Sequence, residues 1–312
     1  MSGYKILAGT AGQELGERIS KKLNKQLTPI TVTKFSDGEI FIKIEESMRG
    51  KDVFYIQSTS SPANDNLIEL LLTLDALKRS SAKSVTLIMP YFGYARQDRK
   101  SEPRVPISAK AVADMIESIG IDRLITLDIH ADQIQGFFNS PVDNLYGANI
   151  FLESLSGIVS DDTVIASPDA GGVTRARYFA KKLGVNDIAV IDKRREKANH
   201  SEVMNVLGDV NGKDVIIIDD MVDTAGTLIK AAQAFKDHGA KSVKACITHG
   251  VLSGKALENI ENGKDDLDIL VISDSIPLKY ETELIKVIDS SFLFSEVIRR
   301  VNNNESITSL FK

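Results

Sequence analysis

Asp214-Val215-Ile216-Ile217-Ile218-Asp219-Asp220-Met221-Val222-Asp223-Thr224-Ala225-Gly226-Thr227 is the stretch that decides the fold. Val215 to Ile218 are all apolar and β-branched, with no polar alternation. Such a run reads as a strand buried on both faces. Two adjacent carboxylates, Asp219 and Asp220, close it. Small residues then lead into helical periodicity over Thr227 to His238. A strand that runs through a short loop into a helix is the opening of a parallel βα unit. Open α/β sheets bind their ligands outside the carboxyl ends of the strands, where these acids stand. Successive backbone N–H groups in the loop, together with the positive end of the helix, attract an anion. The two carboxylates can accept hydrogen bonds from neighbouring hydroxyls. Acids for hydroxyls and a cradle for an anion, within one loop, suit a sugar phosphate. The plainer alternative is a strand–turn–helix with a capping Asp or Thr.

The same alternation runs outward in both directions. Strands are expected at Tyr4–Ala8, Val53–Ile56, Val85–Ile88, Leu124–Leu127, Thr163–Ala166, Ile188–Ile191, Val243–Thr248 and Ile269–Ile272. Helices are expected at Gln13–Leu23, Asn66–Lys78, Ser108–Ser118, Val173–Leu183 and Ser253–Asn262. Short strands alternating with longer helices predict an α/β chain with mostly parallel sheets. The halves look related: in one a strand ends in Gln57–Pro62, in the other a strand ends in Ala166–Gly172, and a helix follows each. We therefore expect two tandem domains, 1–147 and 148–312, with the C-terminal helix and tail packing back on the first.

Composition sets the outer limits. The 312 residues are 43% hydrophobic and 26% charged, with a net charge of -5. This excludes a disordered chain, a collagen-like fibre and a coiled-coil rod. An acidic balance argues against a nucleic-acid partner, because that affinity comes mostly from basic groups on phosphates. Cys246 is the single cysteine, so no intramolecular disulfide and no cysteine-based metal site can form. The first residues lack the basic and apolar regions of a signal peptide. No apolar run approaches the ~20 residues that span a bilayer. A cytoplasmic protein without a membrane partner is expected.

Other segments carry chemistry-bearing residues. In Phe35-Ser36-Asp37-Gly38-Glu39, the ring offers a stacking face and the acids offer acceptors; Asp-Gly also favours a plain hairpin turn. Pro90 to Lys100 combines three aromatic residues with the basic run around Arg96 and Gln97. Guanidinium groups brace phosphates with paired hydrogen bonds, although charge runs are usually solvated loops. Leu127 to Phe138 contains His130 beside Asp128; imidazole is not a preferred magnesium ligand. Ser167 to Arg175 contains Asp169, an oxygen donor for a hard cation or a helix cap. Asp192-Lys193-Arg194-Arg195-Glu196-Lys197 is a basic loop after a strand. Gly250 to Ala256 and Gly9 to Gly12 fail the spacing of nucleotide-binding loops. Cys246 reads as core, and His238 as a helix C-terminal residue.

Asp214–Thr227 resembles the phosphoribosyl-diphosphate motif shared by type I phosphoribosyltransferases and ribose-phosphate pyrophosphokinases. That motif by itself does not separate the two. The remaining segments resemble the pyrophosphokinase family, in family order, from Phe35 to the last residues. The resemblance implies two tandem type I phosphoribosyltransferase-like α/β domains. It implies transfer of a diphosphoryl group from ATP to ribose 5-phosphate. ATP would be held by Phe35, Asp37, Gly38, Glu39, Arg96 and Gln97. Ribose 5-phosphate would be held by Arg195, Asp219, Asp220, Asp223, Thr224, Ala225, Gly226 and Thr227. His130 and Asp169 would serve Mg²⁺, and Lys193 and Arg195 would be catalytic. The resemblance further implies inorganic phosphate as activator, ADP as allosteric inhibitor and self-association as a hexamer. The rival readings are a phosphoribosyltransferase that consumes the diphosphate and a non-catalytic regulatory subunit.

Overall fold

The computed structural model describes residues 3–194, 203–280 and 282–311. The chain forms two compact units, one of Met1–Tyr146, Ser275–Pro277 and Ser290–Lys312, the other of Gly147–Asp274 and Leu278–Asp289. Both are α/β units with mostly parallel sheets, as the alternation of short strands and helices requires. Among the described residues no helix is long and apolar enough to cross a membrane.

In the first unit β1 (Lys5–Ala8) leads through a short turn into α1 (Gln13–Lys22). A hairpin of β2 (Ile30–Lys34) and β3 (Ile40–Ile44) follows, then β4 (Asp52–Ile56) and α2 (Ala63–Arg79). Next come β5 (Ser84–Met89), α3 (Ser108–Ile119), β6 (Arg123–Leu127) and β7 (Val142–Leu145). The parallel sheet runs β1-β4-β5-β6-β7, in chain order, with the hairpin as a separate antiparallel pair. Leu7, Val53, Tyr55, Val85, Leu87 and Met89 project from alternate positions onto α2 and α3. That is the period-two pattern of a pleated strand.

The second unit opens with α4 (Ala148–Ser156), β8 (Thr163–Ser167), α5 (Val173–Leu183), β9 (Ile188–Arg194) and β10 (Val203–Leu207). It continues with β11 (Asp214–Val222), α6 (Gly226–Asp237), β12 (Ser242–Gly250), α7 (Ala256–Asn262), β13 (Ile269–Ser273) and β14 (Ile285–Ile288). The order is β10-β9-β8-β11-β12-β13-β14, parallel except for β10 on β9. The central run of β11 is covered on both faces. Val215 and Ile217 pack with Leu228 and Phe235 of α6. Ile216 and Ile218 pack with Phe151 of α4 and with Ala176 and Phe179 of α5. Between β8 and β11 the strand order reverses, so their carboxyl ends flank the crevice where such sheets bind ligands. The first sheet contains no such reversal. Finally α8 (Ser291–Asn302) packs on α1 in the first unit, burying Leu293, Phe294, Val297 and Ile298.

Phe235 is fully buried beneath β11. Phe235→Ala is expected to cost about 3–5 kcal/mol through lost burial and the cavity left behind. Urea unfolding with an unchanged m-value checks it.

Candidate active site

The acids of the second unit lie within β11, just after its four-residue apolar run; the strand does not close at them, as the sequence suggested, but continues through Met221 and Val222, which still pair with β12. Asp220 is buried and Asp219 is partly so. Arg175, in the first turn of α5, places one guanidinium nitrogen, Nη1, 3.2 Å from Oδ1 of each. Burial first, and the adjacent Asp220 charge second, hold the Asp219 carboxyl well above the usual carboxylate range; the Arg175 charge pulls it back down. The cation offsets part of the burial and like-charge penalty without returning Asp219 to the usual range.

Beyond the acids the chain turns through Asp223 and Thr224. Ala225 then adopts a left-handed conformation, φ +63°, and α6 begins at Gly226. No side chain among the described residues caps that helix. Its first N–H groups have no intrahelical acceptor, which is the setting that attracts an anion. Sequence reading therefore finds Asp219, Asp220, Asp223, Thr224, Ala225, Gly226 and Thr227 gathered at one strand end. Asp169 stands beside them at the end of neighbouring β8. Its Oδ1 accepts the Gly171 and Gly172 amides at 2.9 and 3.1 Å, in the turn ahead of α5; the cap residue of that helix is Gly172, so Asp169 is not the helix cap offered as its plainer alternative. A carboxylate has about four acceptor positions, so this use and a cation are compatible. Lys193 lies on β9, paired with Met204. Arg195 lies outside the described residues.

The first unit has its own cluster at the carboxyl edge of its sheet. Phe35 to Glu39 form the tip of the β2–β3 hairpin, closed by Gly38 N–H to the Phe35 carbonyl at 2.9 Å. Gly38 has φ +94°, a conformation open to glycine. The plain turn that Asp-Gly favours is present, and it holds Phe35 57% exposed, edge-on to Phe41. Lys34 pairs with Asp65 in the first turn of α2, which brings this tip to the end of β4. The loop after β5 carries Arg96 and Gln97, both exposed, while Tyr91 and Phe92 are buried in its base. Gln133 donates to Asp98 at 2.8 Å and ties this loop to the one after β6. There His130 is exposed beyond a strained Asp128, φ +38°. Asn144 holds that turn by accepting the Ile129 N–H at 3.0 Å.

Among the described residues no three His, Cys, Asp or Glu side chains gather to hold a metal. Asp169 and His130 are single donors. A lone protein donor in either unit fits only a cation, such as Mg²⁺, that keeps waters and takes most of its ligands from phosphate groups.

Comparison with known proteins identifies the family. Residues 4–120 match the N-terminal domain of ribose phosphate pyrophosphokinase, and residues 195–312 match the phosphoribosyl synthetase-associated domain. A Campylobacter jejuni protein named ribose-phosphate pyrophosphokinase is 59% identical over 311 residues, covering 100% of both chains. This chain belongs to the ribose-phosphate pyrophosphokinase family. A Wolinella succinogenes member of the same name is 58% identical, again over 100% of each chain. The crystal structure of phosphoribosylpyrophosphate synthetase from Mycobacterium smegmatis superposes with a TM-score of 0.90 at 38% identity, over 97% of this chain and 99% of that one.

Sequence reading of this family member missed three contributors. Arg175 was visible only as the end of the Asp169 segment. Its partners are 44 and 45 residues away, beyond any local pattern. Ser253, which bonds Asp223, was dismissed with Gly250 to Ala256, and Asn259, which bonds the Thr224 carbonyl, was read only as part of a helix. His238 and Cys246 behave as read: His238 Nδ1 meets the Ala234 carbonyl at 2.7 Å, and Cys246 is buried.

The charge argument has a direct test. Asp220→Asn removes a negative neighbour and is expected to lower the Asp219 titration. Arg175→Met removes a positive one and is expected to raise it. Carboxyl-carbon NMR titration reads both shifts; equal shifts in the same direction would break the account.

Proposed function

We propose that this chain transfers the β,γ-diphosphoryl group of ATP to the anomeric hydroxyl of ribose 5-phosphate. The products are 5-phosphoribosyl 1-diphosphate and AMP. The hydroxyl oxygen forms a bond to the β-phosphorus and gives up its proton to solvent. The bond from that phosphorus to the α–β bridging oxygen breaks, and AMP leaves with its electron pair. The observation that carries this reading is the carboxyl-terminal part of β11: two acids held by Arg175, then a short loop into an uncapped helix N-terminus. In a chain similar to named pyrophosphokinases over its whole length, that pair suits the hydroxyls and phosphate of ribose 5-phosphate.

The residue roles are part of the proposal. Asp219 and Asp220 accept the ribose hydroxyls, and the amides of Asp223 to Thr227 take the 5-phosphate. Phe35 stacks on adenine while Asp37 and Glu39 accept its amine, and Arg96 and Gln97 hold the nucleotide. Mg²⁺, when bound, neutralises phosphate charge, with Asp169 and His130 as the protein groups that would hold it. Lys193 and Arg195 stabilise charge on the group in flight, the main work of a protein in phosphoryl-type transfer. The supporting features are the exposed ring at the hairpin tip and the oxygen donor at the end of β8. Activation by inorganic phosphate, inhibition by ADP, assembly as a hexamer and a cytoplasmic location complete the proposal; the family resemblance supports them.

The decisive assay supplies ATP, ribose 5-phosphate, Mg²⁺ and phosphate and separates the nucleotides. AMP formed one-for-one with a phosphoribosyl diphosphate is expected. ADP would mean an ordinary kinase, and no turnover would favour a regulatory subunit. Lys193→Ala is expected to lower kcat by about 10²–10³, with smaller changes in KM. A loss confined to KM would remove it from the transition state. Phe35→Ala is expected to raise the KM for ATP about tenfold or more, through lost stacking, and to leave that for ribose 5-phosphate near its starting value.

A further inference from the structure

The loop over Asp223 to Thr227 is clamped from behind by the segment between β12 and α7. Leu252 N–H donates to the Val222 carbonyl at 3.2 Å and Val251 N–H to the same oxygen at 2.9 Å. Ser253 N–H donates to the Asp223 carbonyl at 3.1 Å, and its hydroxyl donates to Asp223 Oδ1 at 2.5 Å. Asn259 Nδ2, from α7, donates to the Thr224 carbonyl at 2.8 Å. Three successive carbonyls, of Val222, Asp223 and Thr224, are therefore each taken by a donor of this segment.

The direction of these bonds matters. A carbonyl that faced an incoming phosphate would repel it, whereas an N–H attracts it. Drawing the carbonyls toward residues 251–259 leaves the loop amides and the start of α6 for the anion. It also fixes the left-handed turn at Ala225, which a non-glycine residue adopts only under constraint. We propose that Ser253 and Asn259 are positioning residues that hold the loop in its anion-receiving form before ligand arrives. Neither needs to touch the ligand. The inference rests on the assignment of this loop to ribose 5-phosphate and names what preorganises it.

The test compares wild type with Asn259→Ala, Asn259→Asp and Ser253→Ala in steady-state kinetics, varying ribose 5-phosphate and ATP separately. Calorimetric titration with ribose 5-phosphate accompanies the kinetics. Asn259→Ala is expected to raise the KM and Kd for ribose 5-phosphate about 10- to 100-fold, as misplacement of a binding group does. The KM for ATP should stay within about twofold, a split that marks loss of binding to one substrate. Asn259→Asp should be worse than Asn259→Ala, since it sets a carboxylate against the Thr224 carbonyl and leaves both unpaired. Ser253→Ala should weaken ribose 5-phosphate in the same selective way, and it reports even where an Asn259 variant does not fold. Unchanged ribose 5-phosphate constants, an Asp variant milder than the Ala variant, or a loss that falls on ATP overturns the inference. Wild-type protein that makes no AMP from ribose 5-phosphate overturns the functional reading and this inference with it.

Discussion

Two neighbouring carboxylates at the end of a strand with no polar face impose most of what surrounds them. Val215 to Ile218 require cover on both sides, and α6 and α4–α5 supply it. Covered this way, Asp219 and Asp220 lose solvent, and like charges in a poorly solvated place cannot both stay ionised unaided. The cation that offsets part of this is Arg175, on the helix over one face. It reaches them because β8–α5–β9 steps one way along the sheet while β11–α6–β12 steps the other. The reversal of strand order, the cover on β11 and the shared guanidinium are thus one arrangement seen at three scales.

The two units use a similar local device to opposite ends. In the first, the turn after β1 has its amides taken by the chain itself: Glu69 accepts Thr10 N–H at 2.7 Å and Gln57 accepts Ala11 N–H at 3.0 Å. Both side chains are buried, and a Cβ on Gly9 would lie 2.6 Å from each. Buried polar groups need partners, and here they find them in the backbone. In the second unit the corresponding kind of turn has its carbonyls engaged and α6 uncapped. A strand–small loop–helix pattern alone does not distinguish a filled turn from an open one; the side chains brought over it do.

What was legible in the sequence follows the strength of the periodic signal. Central strands and long helices came through because burial on one or both faces dictates their composition. The β2–β3 hairpin, β7, β10 and β14 did not. They are short or at sheet edges, where exposure relaxes the pattern. The aromatic tip of that hairpin was nonetheless readable as Phe35 to Glu39, since an exposed ring beside acids stands out chemically even when its strands do not. The second-unit site was readable because its acids and loop are contiguous in the chain. Arg175 and Asn259 were not, because they act across 44 and 35 residues.

The sequence by itself determined the α/β class, the positions of the acids at a strand end, and the loop suited to a phosphate. These depend on near neighbours: the period of apolar residues and the small side chains beside them. Only the tertiary structure decided which cation neutralises the acids, which segment turns the loop carbonyls away, and where the strand order reverses. Those outcomes depend on crossover direction and on packing between elements far apart in the chain, and no local pattern of residues encodes them.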